Sequence, residues 1–81
     1  MKTLTGLMFE YPLIPMPVLR NAHRFLTEVR DAADLVALAK AHRNTASLYD
    51  GSASPAQARQ FRALADELSA RAAQLVESEH V

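Results

Sequence analysis

Residues 54–78 read SPAQARQFRALADELSARAAQLVES and carry the clearest local signal in the chain. Ser54 can accept a hydrogen bond from a free backbone N–H at a helix start. Pro55 fits the first helical position, because that position needs no N–H donor. Gln57 completes the S-x-x-Q pattern of a capping box. Together these residues predict an α-helix over 55–78.

Apolar residues recur along this predicted helix with spacings of three and four, which places them on one face. They are Ala58, Phe61, Ala65, Leu68, Ala72 and Leu75, with Leu64 and Val76 widening the same stripe. The opposite face carries Arg59, Arg62, Asp66, Glu67, Arg71 and Gln74. We therefore predict that the apolar face packs against another helix and that the polar face meets solvent.

The segment before the Asp50-Gly51 turn shows the same periodicity. It contains neither Gly nor Pro from Val18 onward, and its apolar residues recur at Val18, Ala22, Phe25, Val29, Ala32, Val36 and Ala39. This pattern favours a long helix over about residues 17–49. Folded back through the turn, the two helices would form an antiparallel helical hairpin.

One alternative for the first helix stays open. Phe25, Thr27 and Val29 alternate as in a strand, so residues 23–29 are compatible with β structure. In that case a helix would start at Asp31, which can cap it.

Residues 1–16 are predicted to form an extended N-terminal arm, because three prolines between residues 12 and 17 disfavour a continuous helix. A strand-like alternation of apolar residues runs through Leu7, Phe9, Tyr11 and Leu13. The predicted fold class is therefore mainly α, with an arm that is extended and compatible with a β-strand. The predicted domains are the arm at 1–16 and a helical hairpin domain at 17–81.

The hairpin register predicts alternating layers of small and large side chains. It places Ala39 opposite Ala65 and Val36 opposite Leu68, which lets the helices approach closely. Arg43 is the one polar side chain that this register directs into the interface.

The second predicted helix is shorter than the first, so the start of the first helix lacks a partner. Unpaired apolar surface of this kind commonly marks an interaction site. The candidate partner-binding residues on the arm and the first helix are Phe9, Tyr11, Leu13, Val18, Leu19, Ala22, Phe25 and Leu26. A small core also benefits from association, so we expect a homo-oligomer, most simply a dimer.

Composition narrows the function classes. The 81 residues contain no cysteine, which excludes disulfides and thiolate metal ligands and favours a cytoplasmic location. Nine basic residues balance nine acidic ones, so the net charge predicts no broad attraction to nucleic acid or to an anionic membrane. No apolar run approaches the roughly 20 residues of a membrane-spanning helix.

Lys40, His42 and Arg43 form a small basic patch that could touch phosphates. A nucleic-acid-binding dimer with strand-helix-helix order, acting as a transcriptional regulator, is therefore the alternative function. Acidic residues interrupt the basic surface along the first helix, so we expect nucleic-acid binding less than protein binding.

Catalytic and metal chemistry receive little support. Glu77 and His80 form one Glu-x-x-His spacing, but it lies at the end of the chain without a second copy. We predict no metal site, no cofactor and no catalytic residues, because no nucleophile, base and cleft converge in the pattern. The expected function is that of a small non-enzymatic interaction protein that self-associates and binds a protein partner through the apolar residues named above.

Overall fold

The computed structural model describes residues 2–50 and 54–79. Within these ranges the protein is mainly helical, as predicted, and contains no strand. Its helices are α1 (Leu4–Glu10), α2 (Met16–Thr27), α3 (Ala32–Asp50) and α4 (Pro55–Glu79). The turn predicted at Asp50-Gly51 falls partly outside the described residues.

Helix α4 begins where the sequence predicts. Pro55 is its first residue, and the carbonyl oxygen of Ser54 accepts the Ala58 N–H at 3.2 Å. The amide nitrogen of Gln57, the residue predicted to complete a capping box, donates to the Leu13 carbonyl oxygen. The local signals therefore define the helix start, and a tertiary contact engages Gln57.

The predicted long helix over 17–49 is divided into α2 and α3. Helix α2 ends at Thr27, whose hydroxyl donates to the His23 carbonyl oxygen at 2.9 Å and so offers the backbone a local alternative to helix continuation. Helix α3 is capped by Asp31, whose carboxylate accepts the Ala33 N–H at 2.9 Å. The alternative start at Asp31 is thus observed, but residues 23–27 are helical, as the main prediction had them, so the strand alternative is wrong.

The arm also differs from the prediction, because residues 4–10 form a helix. The Thr3 hydroxyl caps it by accepting the Gly6 N–H at 3.0 Å. Leu4, Leu7 and Tyr11 recur with spacings of three and four, and this helical face packs into the core. The same segment has apolar residues at every second position, from Leu7 through Phe9 to Leu13, which is why its sequence resembles a strand.

Helices α3 and α4 form the main packed pair. Tyr49 and His42, near the end of α3, contact the ring of Phe61 near the start of α4, as an antiparallel arrangement requires. An alanine seam runs between the two helices and is buried along its length; it consists of Ala39, Ala46, Ala58, Ala65 and Ala72. The predicted close approach through alanines is consistent with this burial.

The N-terminal helices complete the core, so the architecture is not a simple two-helix hairpin. One core cluster joins α1 and α2 to the turn end of the α3–α4 pair; it comprises Leu7, Tyr11, Ile14, Leu19, Ala22, Ala46, Ala58, Phe61 and Leu64. The second lies toward the other end and comprises Leu35, Ala39, Ala65, Leu68 and Ala72.

The break before α3 changes which residues face α4. Because the linker at 28–31 resets the helical phase, Leu35 is fully buried and Val36, predicted to meet Leu68, is 52% exposed. Arg43 does not enter the interface but bonds to Asp66 on the surface.

Candidate partner-binding surface

Helix α1 is held against α4 by an ion-pair network. The Lys2 ammonium lies 2.6 Å from a Glu10 carboxylate oxygen and also pairs with Glu67 of α4. Both Lys2 and Glu10 are partly exposed, so the pairs add modest stability and mainly fix geometry. The network connects the N-terminal end of the chain to the middle of α4.

Tyr11 provides the buried part of the same attachment. Its ring lies in the core, and its side chain lies near Glu67. Burial, followed by the interaction with Glu67, raises the pKa of Tyr11 well above its ordinary value. The hydroxyl therefore stays protonated at neutral pH.

Two glutamines of α4 hold the backbone that follows α1. The Leu13 N–H donates to the Gln60 side-chain oxygen at 2.9 Å, and the Leu13 carbonyl accepts from the Gln57 amide at 2.9 Å. We call this pair of contacts the glutamine bracket. It satisfies both backbone groups of Leu13 and leaves the Leu13 side chain partly exposed.

With the inner face of α1 fixed, this helix and the residues just after it present apolar side chains to solvent. Phe9 is 83% exposed, and Met8 and Leu13 are each more than one-third exposed. We call these three residues, two on α1 and Leu13 just after it, the α1 surface. An aromatic side chain offers a large apolar area to a partner, and this one is carried on a helix that is anchored at both ends.

The structure separates the predicted partner-binding residues into three groups. Tyr11, Leu19 and Ala22 are buried within the monomer and offer no surface to a partner. Partly buried positions that pack against the core are Val18, Phe25 and Leu26. Phe9 and Leu13 are exposed. The start of the predicted first helix, which is α2 in the structure, has partners after all, because it shares a core cluster with α1 and the turn end of the α3–α4 pair.

The predicted basic patch is not assembled as one surface. His42 is buried against Phe61, and burial lowers its pKa, so the imidazole is neutral near pH 7. Arg43 donates to Asp66 and to Ser69, each at 3.0 Å, which neutralises its charge locally. Lys40 is exposed. Of the three residues predicted to touch nucleic acid, Lys40 is therefore the one that is exposed and has no described ion pair.

Sequence reasoning missed several exposed apolar residues. Met8 was hidden by the strand interpretation of the arm, and Leu48, 79% exposed on α3, lay outside the predicted stripe. The anchoring residues Lys2, Glu67 and Gln60 gave no signal, because their contacts join positions far apart in the chain. A helical count through Leu4, Leu7 and Tyr11 could have revealed the α1 surface.

Metal and membrane features are absent from the described ranges. No group of His, Asp and Glu side chains there is arranged to hold a metal ion, and His80 lies outside the described residues. Among those same residues, no helix combines the length and apolar character needed to cross a membrane. The chain matches no protein-family model, no curated protein and no solved structure.

Proposed function

We propose that this protein is a small non-enzymatic interaction protein that self-associates and binds protein through the α1 surface. The observation that carries the proposal is the 83% exposure of Phe9 on an otherwise well-anchored helix. Burying a phenylalanine side chain contributes roughly 1.5 to 3 kcal/mol. A second copy that covered Phe9, Met8 and Leu13 would recover that free energy.

Pre-organisation supports this proposal. The Lys2 ion pairs, the buried Tyr11 ring and the glutamine bracket hold α1 in place before any partner arrives. Binding to an ordered surface avoids much of the entropy cost of fixing a loose segment. A short helix with an exposed apolar face is also the element that helix-in-groove recognition uses.

Charge is compatible with self-association. The chain carries nine basic and nine acidic residues, so two copies do not repel each other through net charge. The α1 surface itself carries no formal charge, although Glu10 lies beside it and pairs with Lys2. The first partner we propose is therefore a second copy of the same chain.

Sedimentation velocity over micromolar concentrations tests the proposal. We expect the wild-type protein to form a dimer and Phe9→Glu to sediment as a folded monomer. Leu48→Glu is the matched control, because Leu48 is 79% exposed on α3 and receives the same substitution. A wild-type protein that is monomeric throughout contradicts self-association, and equal behaviour of the two variants contradicts the assignment to α1.

A further inference from the structure

Met8 places a sulfur-containing side chain within the α1 surface. It is 41% exposed and precedes Phe9, the most exposed of the large apolar residues. Met16, the first residue of α2, is half-buried. Met1, the third methionine of the chain, lies outside the described residues. Of the two described thioethers, the one on the α1 surface is therefore the more accessible to a reagent in solution.

The composition directs an oxidant to these thioethers. The chain contains no cysteine, so no thiolate competes with methionine for a peroxide. In the reaction with hydrogen peroxide, the O–O bond breaks and an S–O bond forms at the Met8 sulfur, and the rest of the peroxide leaves as water. The sulfur is oxidised by two electrons and the peroxide is reduced by two. The product, methionine sulfoxide, is polar and can be reduced back to methionine by sulfoxide reductases.

The added oxygen acts on association and leaves the helix in place. In a single copy Met8 faces solvent, so the sulfoxide oxygen stays hydrated, while Leu7 and Tyr11 keep α1 in the core. A second copy that covers the α1 surface removes that water. The side chains of Met8, Phe9 and Leu13 include no hydrogen-bond donor, so the oxygen is desolvated without a new partner, which costs free energy.

We propose that Met8 is a redox-sensitive modification site, at which oxidation by a peroxide reversibly weakens self-association through the α1 surface. This inference rests on the proposed function and adds a means of regulating it. Met16 has no part in the effect, because it lies outside the α1 surface.

Mild treatment of the full-length protein with hydrogen peroxide tests the proposal. Mass spectrometry of peptides should show sulfoxide at Met8 before Met16. Sedimentation velocity should show that the oxidised protein dimerises roughly tenfold more weakly or worse. Circular dichroism should be unchanged, and treatment with the two methionine sulfoxide reductases, one for each sulfoxide epimer, should restore the dimer.

Two leucine variants assign the effect to one sulfur atom. Met8→Leu keeps an apolar side chain of similar volume, so it should dimerise equally well before and after peroxide. Met16→Leu, the matched control, should lose dimerisation on oxidation as wild type does. Earlier oxidation of Met16, or peroxide sensitivity that persists in Met8→Leu, would overturn the assignment.

The untreated sample separates this inference from the proposed function. A reduced wild-type protein that stays monomeric contradicts self-association itself and the regulation that rests on it. A reduced dimer that persists after Met8 has been fully converted to sulfoxide contradicts the regulation alone.

Discussion

Replacing Ala65 with Leu should destabilise the protein by about 1 to 3 kcal/mol, the usual cost of overpacking a well-packed core. Ala65 is fully buried and belongs to the same core cluster as Leu35, Ala39 and Leu68. Alanines at this seam allow α3 and α4 to approach closely, so the added carbon atoms must displace a side chain or separate the helices. The intrinsic helix preference of the two residues differs little and contributes only a small part.

Urea denaturation followed by circular dichroism measures the loss directly. For a domain of this size each kcal/mol corresponds to about 4 to 8 °C in melting temperature, so the loss of about 1 to 3 kcal/mol should lower the melting temperature by roughly 4 to 24 °C. Ala63→Leu makes the same change at an exposed position of the same helix and should change stability little. If both variants unfold at the same urea concentration as wild type, the alanine seam is not closely packed and the reasoning is refuted.

Three further predictions concern charge, capping and the glutamine bracket. Burial lowers the pKa of His42 from its ordinary value of 6.5. Just below about pH 6.5 the unfolded chain therefore binds more protons than the folded protein, so the free energy of unfolding should fall as the pH drops below about 6.5. It should level off below the pKa that His42 has in the folded state. Urea titrations across pH should show a weaker dependence in His42→Gln, and an unchanged dependence would contradict the role of this histidine. Asp31→Ala should cost about 0.5 to 2 kcal/mol in urea denaturation, because α3 loses its cap; a silent change would mean that the cap is dispensable. Gln60→Ala should increase hydrogen exchange at the Leu13 amide, since that N–H loses its acceptor. Arg59→Ala, a substitution at the exposed neighbouring position, is the control for this variant and for Asp31→Ala.

The helix α4 was predictable almost to the residue because its signals are local. Ser54 and Pro55 mark the start within two positions, and the apolar spacing continues without interruption to Leu75. Periodicity also identified the alanines that lie against α3. Such features depend on neighbours in the chain, which a single sequence displays.

The break between α2 and α3 was harder to predict because the apolar spacing runs through it. Val29 and Ala32 continue the helical count, although Thr27 and Asp31 carry the side chains that end one helix and cap the next. The capping signal was present but was outweighed by the longer periodic pattern. One consequence was a shift of the α3 face, which buried Leu35 in place of Val36.

The arm illustrates a second limit of sequence reasoning. Leu7 and Tyr11 fit both a period of two and a helical spacing, and only packing into the core cluster shared with α2, α3 and α4 selects the helix. Phe9, which the sequence predicts to bind a partner, is exposed in the structure. The ion pair of Lys2 and Glu67 could not have been foreseen, because these two residues lie far apart in the chain.

The glutamine bracket has a consequence for how the surface of this protein can vary over evolution. Gln57 and Gln60 recognise only the backbone of position 13, so the attachment is indifferent to the side chain displayed there. Almost any residue with a backbone N–H can occupy the position without releasing the linker, whereas proline removes the donor. Position 13 can therefore change identity, and with it the side chain displayed on the α1 surface, while the fold is retained.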